Sequence, residues 1–273
     1  MSSAPEKPVV VLGGGINGAA VARELMLNRI PVCLVERADI ACGATAASSR
    51  LVHGGLRYLE YADFRLVQGS LAERERSLRL APQFVRPLQL FIPVERRATG
   101  VLAATAKFFR SRLAASMRPV PRGLWLVRIG LHLYDLFARN SKLPRHRVHR
   151  LTDSGMPPVS SDRFRWLCSY YDAQMEYPER FVVALLRDTQ RLANEHGTPF
   201  QLFTYCESKL RGSFVEIRST FDKREQPGRD VGEPPTQIEP AMIINATGAW
   251  VDRTLQRLDV ASPQLMGGTK GSH

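Results

Sequence analysis

The residues with the clearest chemical meaning lie at the start of the chain. Gly13-Gly14-Gly15-Ile16-Asn17-Gly18 satisfies the spacing GxGxxG. Spacing alone is a weak signal, but here the motif follows the apolar run Val9 to Leu12 and opens a stretch of helical periodicity. That is the setting in which it binds a dinucleotide. Gly13 permits the tight turn, Gly15 lets the backbone approach a pyrophosphate, and Gly18 lets the helix pack closely on the strand. N–H groups at the positive end of that helix suit phosphate oxygens. Glu36 lies 21 residues beyond Gly15, at the end of a second apolar run, where a carboxylate can accept hydrogen bonds from ribose hydroxyls. An acid there favours an adenosine ribose without a 2′-phosphate.

Whether the dinucleotide is NAD or FAD turns on two further stretches. ATAASSRLVHGGLRY, residues 44–58, stands where a simple NAD domain would continue with another βα repeat. Its small residues let the loop press against a flat cofactor, and Ser48 and Ser49 can donate to pyrophosphate oxygens. IINATGAW, residues 243–250, is a late strand ending in Ala246-Thr247-Gly248.

With these residues the chain resembles the FAD-dependent family that includes D-amino acid oxidase, glycine oxidase and glycerol 3-phosphate dehydrogenase. In that family such a turn returns the chain to the cofactor beside the first glycine loop. GGGINGA, SSRLVHGGLRYLEY at 48–61, FRLV and LAERE within 64–75, VRIGLHLYDLFARNSKLP at 127–144 and the closing KGSH are similar to the quinone-linked glycerol 3-phosphate dehydrogenases. The resemblance implies FAD held by Gly13, Gly15, Gly18, Glu36, Ser48, Ser49 and the Ala246-Thr247-Gly248 turn. It implies that His53, Gly54 and Gly55 line the flavin ring and that Arg57 and Tyr58 face the substrate. A guanidinium suits a phosphate because it offers a planar fork of donors and keeps its charge. Lys270 and His273 match the family's active-site stretch. His273 is the candidate acceptor for the proton of the C2 hydroxyl, since imidazole titrates near neutrality; the competing reading makes Gly271-Ser272-His273 a tag or scar. Asp172 and Arg180 fall where the family has a similar pair, and are expected to be a helix-start acid with an internal ion pair.

The reaction so implied is oxidation of sn-glycerol 3-phosphate to dihydroxyacetone phosphate, with electrons passed to a membrane quinone, as part of bacterial glycerol metabolism. The relatives continue well beyond KGSH, so the chain is expected to stop before its active site is complete and to be inactive alone. Two alternatives stand beside this reading: a non-catalytic FAD- or membrane-binding fragment, and another FAD-dependent amine or hydroxy-acid oxidase of the same family.

The elements that must position these residues follow from periodicity. Val9 to Leu12, Ile16 to Asn28 and Pro31 to Val35 make one βαβ unit. Ala41 to Ser49 has neither helical nor strand period and reads as an extended loop. Helical spacing returns over Ala62 to Leu80, Arg180 to Glu195 and Val251 to Leu258. Leu88 to Val94, Phe164 to Tyr171, Phe200 to Cys206, Ser213 to Thr220 and Ala241 to Asn245 read as strands, with an exposed connection from Asp222 to Gln237. The expected fold is α/β: a Rossmann-like FAD-binding domain with a parallel sheet (1–85 and 164–258), part of a β-rich substrate domain (86–95 and 259–273) and a helical insertion (96–150).

The charge is concentrated in that insertion. The chain of 273 residues carries a net charge of +12, and residues 96–150 hold 13 Lys or Arg against a single acid, Asp135. The remainder is balanced, so the excess points to an anionic surface as partner, unless it is merely a solvated Arg-rich face. Two helices are expected there. One carries Leu102, Ala106, Phe109, Leu113 and Met117 on one face. The other, Leu124 to Phe137, is apolar apart from Arg128, His132 and Asp135. An apolar stripe beside charge favours a membrane surface, whereas nucleic acid would want aromatics interleaved on the basic face. No apolar run approaches the roughly 18 residues of a spanning helix, and no basic, apolar leader opens the chain. Four scattered cysteines lack metal-ligand spacing and suggest a reducing compartment. The expectation is a cytoplasmic protein, peripheral on the inner membrane, without a metal; a homodimer stays open.

Overall fold

The computed structural model describes residues 7–61, 63–95, 123–139, 141–220 and 234–267. The chain divides into two compact units, Met1–Ser49 with Tyr177–His273, and Arg50–Glu176.

The first unit is built on β1 (Val9–Leu12), α1 (Ile16–Leu27) and β2 (Val32–Val35). It is completed by α4 (Pro178–His196), β7 (Phe200–Phe203), β8 (Cys206–Arg211), β9 (Phe214–Ser219), β10 (Thr236–Ile238), β11 (Met242–Asn245) and α5 (Val251–Arg257). Its main sheet has the order β11-β1-β2-β7, with every pair parallel. VVVL and VCLV are buried along their whole length, as inner strands covered on both faces must be, which is why they read as continuous apolar runs rather than alternating ones. Side chains of one phase, Val9, Val11, Val32 and Leu34, pack against Ala19, Ala22 and Met26 of α1 and Val182 and Leu186 of α4. Those of the other phase, Val10, Leu12, Cys33 and Val35, meet Val215 and Ile217 of the antiparallel sheet β10-β9-β8. Pro178 opens α4, where its missing N–H costs nothing, and Gly197 closes it in the left-handed region.

The second unit centres on β6 (Trp166–Met175). Its ten residues pair antiparallel with β4 (Val85–Val94) on one edge; the other edge is shared by β3 (Leu51–Val52) and β5 (Arg147–Arg150). Two helices pack on this sheet. The first is α2 (Phe64–Leu80), whose N-cap Asp63 accepts from the Leu66 N–H. The second is α3 (Leu124–Phe137), which buries Leu124, Val127, Leu131 and Tyr134.

Some elements differ from expectation. The strand β5 lies inside the segment expected to be helical. RVHR carries no apolar alternation, and it is a strand because its backbone completes the edge of β6. Likewise Thr236–Ile238 pairs with β9 where an exposed connection was expected. The expected helix around Leu102 falls outside the described residues. Asp172 is not a helix-start acid but sits in the middle of β6, and its partner is Arg74 rather than Arg180, whose guanidinium lies over the Tyr177 ring.

The thiols report these cores directly. Burial, reinforced by neighbouring Cys206, pushes the Cys33 thiol up to about 12, and burial, opposed by Arg128, pushes Cys168 up to about 11. Cys42 is exposed. Only the thiolate reacts, so maleimide at pH 8 should label Cys42 and leave Cys33 and Cys168 untouched until denaturant is added. Peptide mapping by mass spectrometry reads this; prompt labelling of Cys33 would place β2 at a surface.

Candidate functional site

In the first unit the chain turns at Gly13 immediately after β1. Gly13 has φ +106°, and a Cβ there would lie 2.7 Å from the carbonyl oxygen of Ala246. The Ala246-Thr247-Gly248 turn therefore touches the first glycine directly. Ala246 also donates its N–H to the Leu12 carbonyl at 2.8 Å. Asn245 holds the turn: its Oδ1 accepts from the Thr247 hydroxyl at 2.7 Å and from the Thr247 N–H at 3.2 Å. A Cβ on Gly18 would stand 1.8 Å from the Gly13 carbonyl oxygen, so α1 lies against the end of β1 as closely as backbone allows. Among the described residues no acceptor meets the N–H groups of Asn17 and Gly18 in the first turn of α1.

Glu36 closes the other side of the loop. Its carboxylate accepts from the Gly14 N–H at 2.6 Å and from the Ala38 N–H at 2.9 Å. It thus ties β2 to the glycine turn and is held beside it. The loop after β2 packs on the same turn, with the Ala41 N–H bonded to the Gly14 carbonyl at 3.0 Å. The residue this loop brings to the head of α1 is Thr45, whose buried hydroxyl accepts from the Ile16 N–H at 3.1 Å. Ser48 and Ser49 lie further along and exposed. Sequence reasoning missed Thr45; three small side chains and two serines stand nearby, and nothing in composition tells which hydroxyl meets the helix. Trp250 braces the loop from outside, its ring 2.9 Å from where a Gly43 Cβ would be.

In the second unit the loop His53-Gly54-Gly55 leaves β3. Gly54 is buried and donates its N–H to Asp172 Oδ1 at 2.8 Å. A Cβ there would lie 2.1 Å from the Tyr134 hydroxyl and 2.3 Å from Leu71 Cδ2. The same Asp172 oxygen accepts from Tyr134 at 2.7 Å and from Arg74 Nη1 at 2.9 Å. Glu75 and Ser141 bond the other guanidinium nitrogen, at 3.1 and 3.4 Å. Burial is the largest influence on the Tyr134 phenol and, with the Asp172 charge, holds it far above its ordinary range. His53 is exposed, its ring 6.4 Å from that of Tyr58. Together with Leu51, Val52, Leu66, Gly69, Ser70, Arg65 and Glu73 it lines an open groove of about 520 Å³. Arg57 lies in the short 3-10 helix Leu56–Tyr61 that follows. Lys270 and His273 lie outside the described residues.

Gly13, Gly15, Gly18, Glu36, Ala246, Thr247 and Gly248 are thus gathered at one end of the parallel sheet. A turn with no room for a side chain at Gly13 or Gly18, beside unfilled helix N–H groups, has the form a pyrophosphate requires. Among the described residues no cluster of His, Cys, Asp or Glu forms a metal site.

Comparison with known proteins agrees with this geometry. The profile of the FAD dependent oxidoreductases matches residues 8–273. The aerobic glycerol-3-phosphate dehydrogenase of Escherichia coli (strain K12) is 38% identical over 269 residues, covering 98% of this chain and 46% of that protein. D-erythritol 1-phosphate dehydrogenase of Brucella abortus is 33% identical over 274 residues, covering 96% and 46%. The chain therefore spans less than half the length of these curated relatives. The FAD-complexed glycerol-3-phosphate dehydrogenase from Bacillus halodurans shares the fold with a TM-score of 0.54 at 17% identity, over 92% of this chain and 36% of that one.

Two substitutions probe the cradle through flavin absorbance per protein. Gly18→Ala drives a methyl into the Gly13 carbonyl and should abolish retention of flavin. Glu36→Ala frees two N–H groups, each losing a charge-assisted bond of about 1.5–3 kcal/mol, and should lower occupancy without unfolding the sheet. Full occupancy in Gly18→Ala would mean that the loop is not the cofactor cradle.

Proposed function

The chain belongs to the FAD-dependent oxidoreductase family, and from that premise we propose that it is the FAD-binding part of a glycerol 3-phosphate dehydrogenase that passes electrons to quinone. The observation that carries the cofactor side is the contact of the Ala246 carbonyl with Gly13, which leaves no room for a side chain at the turn. The substrate side is supported by the relatives' names and by the HGGLRY loop.

FAD, when bound, supplies the two-electron acceptor for the substrate carbon. In this reading the residues of the chain do the rest. Gly13, Gly15, Gly18 and the head of α1 hold the pyrophosphate, joined by Thr45, Ser48 and Ser49. Glu36 accepts from the ribose hydroxyls with the lone pairs that its two backbone donors leave free. His53, Gly54 and Gly55 present a wall to the flavin ring. Arg57 and Lys270 neutralise the phosphate of the substrate, Tyr58 orients it, and His273 takes the proton of the C2 hydroxyl as that carbon is oxidised. A planar fork on Arg57 fits a phosphate monoester and would serve glycerol 3-phosphate and erythritol 1-phosphate alike. The second substrate is favoured by one observation, the Brucella relative at 33% identity.

Dye-linked oxidation of both substrates by the FAD-loaded, full-length protein is the test. Arg57→Met should raise KM for glycerol 3-phosphate roughly 100-fold with kcat less affected, the mark of lost ground-state binding. His273→Ala should lower kcat by about 10²–10⁴. A preference for D-erythritol 1-phosphate would reassign the substrate, and no activity with either would leave only the family.

The proposed quinone partner requires a membrane. Among the described residues no helix is long and apolar enough to cross one. However, α3 exposes Trp125, Ile129, Leu133 and Leu136 at successive spacings of one face, and it belongs to the segment 96–150 whose sequence carries the excess basic charge. Peripheral docking on anionic lipid follows from that combination. In liposome flotation, binding should need anionic lipid, weaken with salt and fall in Ile129→Asp. Equal recovery with neutral vesicles at any salt would overturn it.

A further inference from the structure

The Arg74–Asp172 pair is nearly inaccessible, each side chain about 1–2% exposed. Burying an ion pair is costly, and well-packed apolar replacements of similar volume are often as stable or more so. Stability is therefore a poor reason for this pair. What apolar side chains cannot reproduce is the third bond on Asp172 Oδ1, the one from the Gly54 N–H at 2.8 Å.

That bond fixes more than one atom. The His53–Gly54 peptide is trans and planar, so an N–H directed at Asp172 turns the His53 carbonyl the opposite way. The missing Gly54 side chain lets the backbone lie against Tyr134 and Leu71. Tyr134 and Arg74 in turn hold the carboxylate, from α3 and α2 respectively. Three elements therefore converge on one peptide plane.

We propose that Asp172 is a positioning residue: held by Arg74 and Tyr134, it sets the peptide plane of the His53-Gly54-Gly55 loop and thereby the wall and the electrostatic field met by the flavin. This rests on the reading above that the loop lines the flavin ring. Asp172 touches neither substrate nor flavin in this role. Its influence passes through the Gly54 backbone and through the balance of charge in the cluster.

The test uses the FAD-loaded, full-length protein and three readouts: the reduction potential of the bound flavin, hydrogen exchange over residues 51–58, and the division of effect between kcat and KM. Tyr134→Phe removes one donor to Asp172 and keeps the ring. It should speed exchange over 51–58, shift the potential, and lower kcat about tenfold, the size of one hydrogen bond, with KM within about twofold. Asp172→Asn should raise the potential, since it takes one negative charge from the cluster, leaving Arg74 balanced by Glu75 alone, and reduction makes a flavin more negative. If that variant does not fold, Tyr134→Phe decides alone. Leu131→Val, a core change on α3 that removes no atom of the network, controls for loss of stability and should leave the potential and the exchange unchanged. His53→Ala separates the two possible failures. A shift in His53→Ala with none in Tyr134→Phe or Asp172→Asn leaves the loop at the flavin and overturns the role of Asp172. No shift even in His53→Ala removes the loop from the flavin, and the proposal falls with its premise.

Discussion

A Cβ on Gly18 has no place to go, because the carbonyl oxygen of Gly13 is already 1.8 Å from where it would stand. That approach brings the first turn of α1 against the end of β1, the inner strand between β11 and β2. The second missing side chain, at Gly13, admits the Ala246 carbonyl from the end of β11. Glu36 reaches across from the end of β2 to the Gly14 N–H at 2.6 Å. Parallel strands end at the same edge of their sheet, so these contacts all arise where the helix dipole is positive. The rest of the first unit serves to hold this edge. Helices on one face and a small antiparallel sheet on the other keep β1 and β2 dry along their length, and dry, fully paired strands do not shift register.

The second unit adds a polar cluster to its apolar packing. The cluster joins a guanidinium, a carboxylate and a phenol, with Arg74 and Tyr134 almost fully buried. A polar network in low dielectric is favourable only when nearly every member is satisfied, and then it admits few alternative arrangements. Arg74 Nε is the one buried side-chain nitrogen or oxygen without a partner among the described residues. The other two guanidinium nitrogens carry the pairing, to Tyr134, Asp172, Glu75, Ser141 and the Tyr171 carbonyl. Apolar contacts carry no preferred direction, whereas a carboxylate holding three donors fixes the direction of each. A loop that must present its backbone at a defined angle is better anchored to the second kind of core.

These two designs differ in how far the sequence reveals them. The Rossmann-like half was legible because its constraints are local. An apolar run, glycines at fixed offsets and an acid at the end of the next strand sit within 30 residues, and each has a physical reason for its place. The late turn at Ala246 was legible through resemblance. The helix Leu124–Phe137 appears with the bounds its periodicity implies. What stayed hidden depends on distant partners. Arg74 sits among Glu73, Glu75 and Arg76 in a helix that reads as charged and solvated; only the fold shows that it points inward, to a residue 98 positions away. Thr45 was passed over for Ser48 and Ser49 because three hydroxyls in one loop are equivalent until the backbone path is known. RVHR became a strand through pairing alone, since β propensity measures fit to a sheet more than intrinsic preference.

The helix α3 ties these themes together through its unusual distribution of side chains. Leu124, Val127, Leu131 and Tyr134 face inward, while Trp125, Ile129, Leu133 and Leu136 remain 39–54% exposed. The polar wedge between them is Arg128, His132 and Asp135, and part of it is engaged internally. Asp135 holds the His146 imidazole at 2.7 Å, and that ring meets His132 edge-on at 4.4 Å. Arg128 folds its guanidinium over Trp125 at 5.3 Å, which adds cationic character to the apolar edge. At fourteen residues the helix is roughly 21 Å long, too short to span a bilayer of about 30 Å. On the inner side the same helix supplies Tyr134 to the carboxylate that holds Gly54. One element therefore presents an apolar surface outward while fixing a backbone loop inward, and changing either face burdens the other.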